Sequence, residues 1–324
     1  MSRAVLLREH GGPEVLRVEE VAVGAPGPGE IRLRQTAIGV NFHDCYVRSG
    51  LYRTLPLPGV PGIEAVGHVE ALGEGVEGLR VGSRVGYVSP GYGAYAETRR
   101  LPASLAVPLP DDLGDEAAAS VLLKGLTACM LLRRVHRVSP GETILVHAAA
   151  GGVGQLLCAW AKHLGATVIG TVGSREKAEI ATRAGADHVV LYREEDFVPR
   201  VREITEGRGV AAAYDAVGRD TFLGSLDCLG FLGTLVNYGQ ASGPVEPISP
   251  SALAAKSNAL VRPIVFHHLR ERAALGAMAG ELFAAIAAGI VRPETFLALP
   301  LEDVGESHRT LEARRTTGSV ILIP

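Results

Sequence analysis

The stretch from Glu142 to Ser174 constrains this chain most, and within it the seven residues Ala148-Ala149-Ala150-Gly151-Gly152-Val153-Gly154. Ahead of them Thr143-Ile144-Leu145-Val146 is a short apolar run that reads as a buried strand, extending to residue 149. Behind them Gln155 to Leu164 carries Leu156, Leu157, Ala159, Trp160, Ala161 and Leu164, the spacing of a helix packed on a sheet. Gly165 reads as the helix stop, and Thr167 to Val172 as a second strand. Strand, glycine turn, helix and strand in about thirty residues make a βαβ unit. Its turn is placed to hold a pyrophosphate on the backbone N–H groups of Ala150 to Gly154 at a helix N-terminus. Gly151 lets the backbone approach the phosphates, and Gly154 lets the helix pack close on the sheet. The first glycine of the usual G-x-G-x-x-G is Ala149 here, so the bare pattern is imperfect. The competing reading is a glycine-rich turn that packs a helix and binds nothing; the βαβ context favours a dinucleotide site.

The tip of the second strand indicates which dinucleotide. An NAD site places Asp or Glu there, about 20 residues on, to bind the ribose 2′-hydroxyl. Here the tip reads Thr171-Val172-Gly173-Ser174-Arg175-Glu176-Lys177, with no carboxylate at its end. Gly173 leaves room for a larger group, while Ser174, Arg175 and Lys177 offer donors to a 2′-phosphate at the start of the next helix. Against this, Arg175 and Lys177 can be read as solvated first-turn side chains. Of the 32 basic residues only Lys124, Lys162, Lys177 and Lys256 are lysines, so a lysine at this place points to a compact cation rather than a fork. The expected cofactor is NADP(H).

At 324 residues, one large or two medium domains are expected. A net charge of −3 indicates no nucleic-acid or anionic-membrane partner. Cys45, Cys129, Cys158 and Cys228 show no paired spacing, which fits a reducing cytoplasm. The N-terminus is too polar for a signal peptide. The run from Ala273 to Val291 is apolar enough to suggest a membrane span, but Glu281 near its middle costs about 2.5–3.5 kcal/mol in a bilayer; a largely buried helix of a soluble protein is expected. Up to about residue 120, short apolar runs (Ala4–Leu7, Ile31–Ile38, Ala65–Leu72, Arg84–Val88) alternate with turn signals, the pattern of a compact all-β unit. From Asp115 the texture becomes helical and then alternates, with strands at 143–149, 167–172, 188–192, 211–216 and 232–237 and a sixth near 260–266. A helix is expected at 271–289, and Ser319–Ile323 closes with a strand outside the βαβ series that can rejoin the first domain.

Further stretches carry a family resemblance. Gly82-Ser83-Arg84-Val85, Gly93-Ala94-Tyr95-Ala96-Glu97, Leu123-Lys124-Gly125-Leu126-Thr127-Ala128 and the 148–154 turn resemble, in that order, the medium-chain dehydrogenase/reductase superfamily. Gly39-Val40-Asn41-Phe42-His43-Asp44, Arg48-Ser49-Gly50-Leu51-Tyr52, Tyr214-Asp215-Ala216-Val217-Gly218 and the ending Gly318 to Pro324 resemble its NADPH-dependent quinone oxidoreductases of the zeta-crystallin type. The resemblance runs nearly end to end. It implies a doubly wound α/β Rossmann domain (124–266) and a discontinuous GroES-like, mostly-β domain (1–123 and 267–324). It also implies cofactor and acceptor in the cleft and a homodimer through the Rossmann sheet edge. By the same resemblance Lys124 and Thr127 lie near the nicotinamide ribose, and Tyr192 flanks the 2′-phosphate beside Lys177. Gly218 and Asn237-Tyr238-Gly239 face the cofactor, and Arg262 and Arg314 close over it.

Zinc alcohol dehydrogenases of the superfamily carry Cys where Asn41 stands and His where Ile63 stands. A catalytic zinc needs three protein ligands. His43, Cys45 and Glu64 are conceivable substitutes, but the preferred reading makes His43 and Cys45 ordinary loop side chains and Glu64 structural, with no metal. Without zinc to polarise a carbonyl, hydride transfer suits an acceptor already electrophilic, a quinone or an enone, held about 3–3.5 Å from the nicotinamide. Asn41 is the candidate to orient nicotinamide or acceptor, with Tyr46 and Tyr52 as lining donors to the oxygen that gains charge; each tyrosine can equally be a packed ring. The leading expectation is an NADPH:quinone oxidoreductase. The alternatives are an NADPH-dependent reductase of activated C=C bonds, and a crystallin-like or RNA-binding protein that holds NADPH with little turnover.

Overall fold

A computed structural model describes all residues, Met1 to Pro324. It divides into two compact units, one of Met1–Leu123, Leu269–Gly280 and Pro293–Pro324, the other of Lys124–His268 and Glu281–Arg292. The segment from 267 onward therefore contributes to both units, Glu281–Arg292 grouping with the second.

The second unit is built on a six-stranded parallel sheet. From edge to edge its strands are His188–Leu191, Thr167–Val172, Thr143–Val146, Val210–Asp215, Leu229–Asn237 and Ala259–Val261. Continuous apolar runs mark these strands because a parallel sheet is covered on both faces. Leu145, Ile169, Val190, Val210 and Leu235 are all fully buried, each contributing about 1.5–3 kcal/mol by leaving water. Helices Gly152–His163, Arg175–Arg183, Phe197–Ile204 and Phe222–Cys228 make the crossovers. Gly165 at φ 86° follows the first as the expected stop. Two strands end well short of expectation. The first strand stops at Val146, because Ala148 at φ 52° already turns the chain. The sixth stops at Val261, because Pro263 can donate no ladder hydrogen bond and a short helix, Val265–His268, begins two residues later.

In the first unit Ser2–Leu7 pairs antiparallel with Leu16–Val21. A seven-stranded sheet runs Thr295–Pro300, Ser319–Ile323, Glu30–Val40, Glu64–Leu72, Arg84–Val88 and Val107–Pro108, with Thr98–Pro102 also on Glu30–Val40. The last strand of the chain rejoins this unit, Val320 opposite Val40. The unit is not all-β. Residues 42–49, expected as a loop, form a helix, since Asp44 Oδ2 accepts from the Asn41 N–H at 2.9 Å and Gly50 ends it at φ 82°. The helix Arg272–Ala287 is less buried than expected: Leu275, Met278, Ala279, Leu282 and Ala285 are buried, while Ala273, Gly276, Ala277, Gly280 and Ala284 face solvent. Alanine is apolar enough to suggest a core yet small enough to tolerate water, so its runs do not reveal a face. No helix is long and apolar enough to cross a membrane.

Candidate functional site

In the parallel sheet the strand order reverses direction beside Thr143–Val146, whose neighbours are the strands Thr167–Val172 and Val210–Asp215. Ligands of doubly wound sheets bind at such a switch point, beyond the C-terminal ends of the strands. The turn Ala148–Gly154 stands there. Its form is set by hydrogen bonds from Ala149 N to Thr171 O (3.1 Å) and from Gly151 N to Ala148 O (2.8 Å). A side chain at Gly154 would overlap the Ala148 carbonyl, so this glycine is required for the helix to start against the turn. At Gly151 a Cβ would meet only that same oxygen, at 3.1 Å, so its outer side is open. The N–H groups of the first helical turn have no intrahelical acceptor and suit a pyrophosphate. Ala149, the departure from the glycine pattern, is accommodated from the next strand: a Cβ on Gly170 would lie 2.7 Å from the Ala149 methyl.

Below the turn a buried polar chain joins the strand ends. His147 bonds Thr171 Oγ1 through Nδ1 (2.9 Å) and Ser225 Oγ through Nε2 (2.8 Å). Burial holds its pKa below the ordinary value, with the nearby Asp215 charge opposing. Asp215 accepts from Val217 N (2.7 Å), Gly218 N (3.0 Å) and Thr221 Oγ1 (2.9 Å), which fixes Gly218 at φ 87°. Asn237 donates to Gly239 O (3.1 Å), and Arg262 Nη1 donates to Asn237 O (2.9 Å). These two side chains thus shape the 237–239 loop, with Tyr238 N on Asp215 O at 2.9 Å. Lys124 and Thr127 sit one helical turn apart on Asp115–Met130, Lys124 buried and Thr127 half-buried.

At the tip of the second strand Ser174 caps Arg175–Arg183, its Oγ accepting from Lys177 N (3.3 Å). A Cβ at Gly173 would meet the Tyr192 hydroxyl at 2.6 Å, so the phenol lies over Gly173, next to the Ser174 cap and the helical turn that carries Lys177. Arg175 is different. It pairs with Glu194 at 2.8 Å, 81% exposed, in keeping with a solvated first-turn side chain.

In the first unit, Asn41 donates through Nδ2 to Glu64 Oε1 (2.8 Å), and Glu64 Oε2 accepts from Leu123 N (2.8 Å). A side chain at Gly39 would overlap that carboxylate, so the strand keeps a glycine where Glu64 lies flat. Glu64 ties strand, helix and Asn41 together, and Asn41 retains one amide proton for other partners. The helix Phe42–Ser49 and the segment after it gather rings: Tyr46 and Tyr52 edge to face at 5.1 Å, His43 and Tyr52 at 5.4 Å, His43 and Tyr92 stacked at 5.9 Å. His43 Nε2 bonds Tyr92 Oη (3.1 Å), which also bonds Thr54. Burial pushes the His43 ring down to about 4, so it is neutral at pH 7. Tyr92 and Thr54 were not read from the sequence; Tyr92 lies far beyond the helix in the chain, and no local pattern ties either residue to it. Burial raises the Cys45 thiol, and no group of three His, Cys, Asp or Glu is arranged to hold a metal ion. Arg314 stands just past the helix Val304–Glu312, exposed and at φ 54°.

A second buried chain anchors that ring-bearing helix. Tyr95 Oη donates to Asp44 Oδ2 (3.0 Å) and bonds His308 Nε2 (3.1 Å). Arg48 Nη1 reaches His308 Nδ1 (3.5 Å), while Nη2 pairs with Glu312 at 2.5 Å. Since Arg48 can only donate, Nδ1 is the acceptor and Nε2 carries the proton. Burial first, and Arg48 second, push His308 down to about 3.

A doubly wound parallel sheet with a glycine turn at its switch point, in one chain with a mostly antiparallel unit of this topology, defines a medium-chain dehydrogenase/reductase. Residues 27–111 match the alcohol dehydrogenase GroES-like domain and residues 152–280 the zinc-binding dehydrogenase family. The chain is 45% identical to a quinone oxidoreductase of Salmonella typhimurium over the full length of both, and 43% identical to a 2-haloacrylate reductase of Burkholderia sp, covering 100% of this chain and 99% of that one. The crystal structure of Escherichia coli quinone oxidoreductase complexed with NADPH superposes with a TM-score of 0.96 at 43% identity, covering all of both chains. The chain belongs to the quinone oxidoreductase family of the medium-chain dehydrogenases/reductases.

Proposed function

We propose that the protein transfers reducing equivalents from NADPH to a quinone, with no zinc at the reacting centre. The observation that carries this is the tip of the second strand, where no carboxylate stands: Ser174 caps the helix whose first turn carries Lys177, and the Tyr192 hydroxyl lies over Gly173. The NADPH in the Escherichia coli relative supports the same cofactor. When bound, NADPH supplies a hydride. The backbone of Ala150 to Gly154 holds its pyrophosphate, and the 237–239 loop, with Gly218, Arg262, Lys124, Thr127 and Arg314, contributes the remaining contacts. Asn41 orients nicotinamide or acceptor; Tyr46 and Tyr52 line the acceptor and donate to the oxygen that becomes negative. The neutral His43 keeps that ring cluster uncharged, which suits an apolar quinone.

The test is NADPH oxidation against a panel of quinones and enones, with NADH in parallel and a chelator in a second set. Quinone turnover with NADPH, unaffected by chelator, is expected; a preference for NADH or loss of activity with chelator overturns it. Reduction of activated C=C bonds is the second reading, favoured by the 43% identity to a 2-haloacrylate reductase, and higher turnover with enones would establish it. A homodimer along the sheet edge at Ala259–Val261 is supported by that strand's unpaired side and by partly exposed Leu260 and Ile264. Sedimentation should give twice the chain mass, and Leu260→Lys should shift it toward monomer. The four free, buried cysteines fit a reducing cytoplasm.

A further inference from the structure

The tip that distinguishes the two nicotinamide cofactors holds one side chain that the sequence pattern did not single out. Arg193 follows Tyr192 at the end of His188–Leu191, and that strand runs parallel to Thr167–Val172 with Leu191 opposite Val172. The two strand ends are therefore side by side. A Cβ at Gly173 would lie 2.6 Å from Tyr192 Oη and 3.5 Å from Arg193 Nε, so phenol and guanidinium both fold over the same glycine. The neighbouring charges leave this guanidinium uncompensated. Glu194, next in sequence, is drawn to Arg175 (2.8 Å), and Arg193 itself makes no ion pair. An exposed cation held over a glycine, beside a hydroxyl and a helix N-cap, has the geometry of an anion site rather than of a surface ion pair.

We infer that Arg193 is a reader of the 2′-phosphate, supplying the planar fork that Lys177, a point charge on the opposite helix, cannot provide. This rests on the NADPH reading of the tip. Gly173 then acquires a definite reason: a Cβ there would collide with the Tyr192 hydroxyl and take up the space against which Arg193 lies. The site recognises a ribose 2′-phosphomonoester from two sides, strand end and helix start.

Calorimetric titration with 2′,5′-ADP and with 5′-AMP, which differ only in the 2′-phosphate, tests this on the unmutated protein, Arg193→Ala and Arg193→Lys. Arg193→Ala should weaken 2′,5′-ADP by roughly 10- to 150-fold, the range of one charge-assisted hydrogen bond, and leave 5′-AMP within about twofold. Arg193→Lys keeps the charge but not the fork and should fall between. In steady state, Arg193→Ala should raise the KM for NADPH with kcat unchanged. Equal weakening of both nucleotides, or no change in either, overturns the role of Arg193 while leaving the cofactor reading in place, provided that the unmutated protein prefers 2′,5′-ADP. If the unmutated protein binds both nucleotides alike, the cofactor reading and this inference fall together. Arg193 is exposed, so neither substitution disturbs the core.

Discussion

Two side chains carry the sharpest residue-scale expectations. If Lys177 reads the 2′-phosphate as proposed, Lys177→Ala should weaken NADPH by roughly 10- to 150-fold while barely changing NADH. The preference that remains should shrink further as salt rises. Equal loss for both cofactors would make Lys177 a support of the helix start that Ser174 caps. Tyr52→Phe keeps the edge contacts to Tyr46 and His43 and removes only a hydroxyl. Turnover should fall by between about tenfold and a thousandfold with NADPH affinity intact, the range for deleting one oxyanion donor; unchanged turnover would reduce Tyr52 to a packed ring. At this scale the sequence was informative where chemistry is local, in the glycine turn and in Ser174 to Lys177. It was silent where a contact closes over a distance. Nothing near Asn41 announces that Glu64 will take one of its amide protons, and nothing near Gly173 announces Arg193 from the next strand.

Among elements, the parallel strands were legible because each is an unbroken apolar run between glycine or proline punctuation. The helix Phe42–Ser49 was not, since its eight residues mix polar and aromatic side chains and its caps, Asn41 and Gly50, also read as loop. What holds that helix is the chain of Asp44, Tyr95, His308, Arg48 and Glu312, reaching to Val304–Glu312 near the end of the sequence. Tyr95→Phe withdraws a donor from Asp44 and an acceptor from the His308 ring, both buried. It should cost about 1–3 kcal/mol, read as a lower denaturation midpoint with the denaturant slope unchanged. If the helix also presents the reacting groups, kcat should fall more than the KM for NADPH rises. An unchanged midpoint would mean that solvent replaces the hydroxyl and that the anchor lies elsewhere.

Across the whole molecule, His43, His147 and His308 are kept neutral by burial. Each has a folded pKa below the unfolded value of 6.5, so between the two the unfolded chain binds a proton that the native chain does not. The stability present above pH 6.5 is therefore lost as pH falls, at about 1.4 kcal/mol per pH unit for each ring. The loss runs down to about pH 4 for His43 and about pH 3 for His308. Unfolding by urea at pH 7.5 and 5 should show this decline, and His308→Gln should flatten it by one ring's share; a midpoint that holds between those pH values would contradict it. The same molecule also carries a restriction on its own history. Ala149 and Gly170 share the space of one methyl group. Replacing Gly170 first drives a new methyl to 2.7 Å of the old one, whereas replacing Ala149 by glycine first leaves a small gap that the fold can bear. A lineage that moves its glycine from the second strand into the turn therefore has one passable order of steps, and a library that samples both positions together should recover the doubly exchanged pair far more often than Gly170→Ala alone.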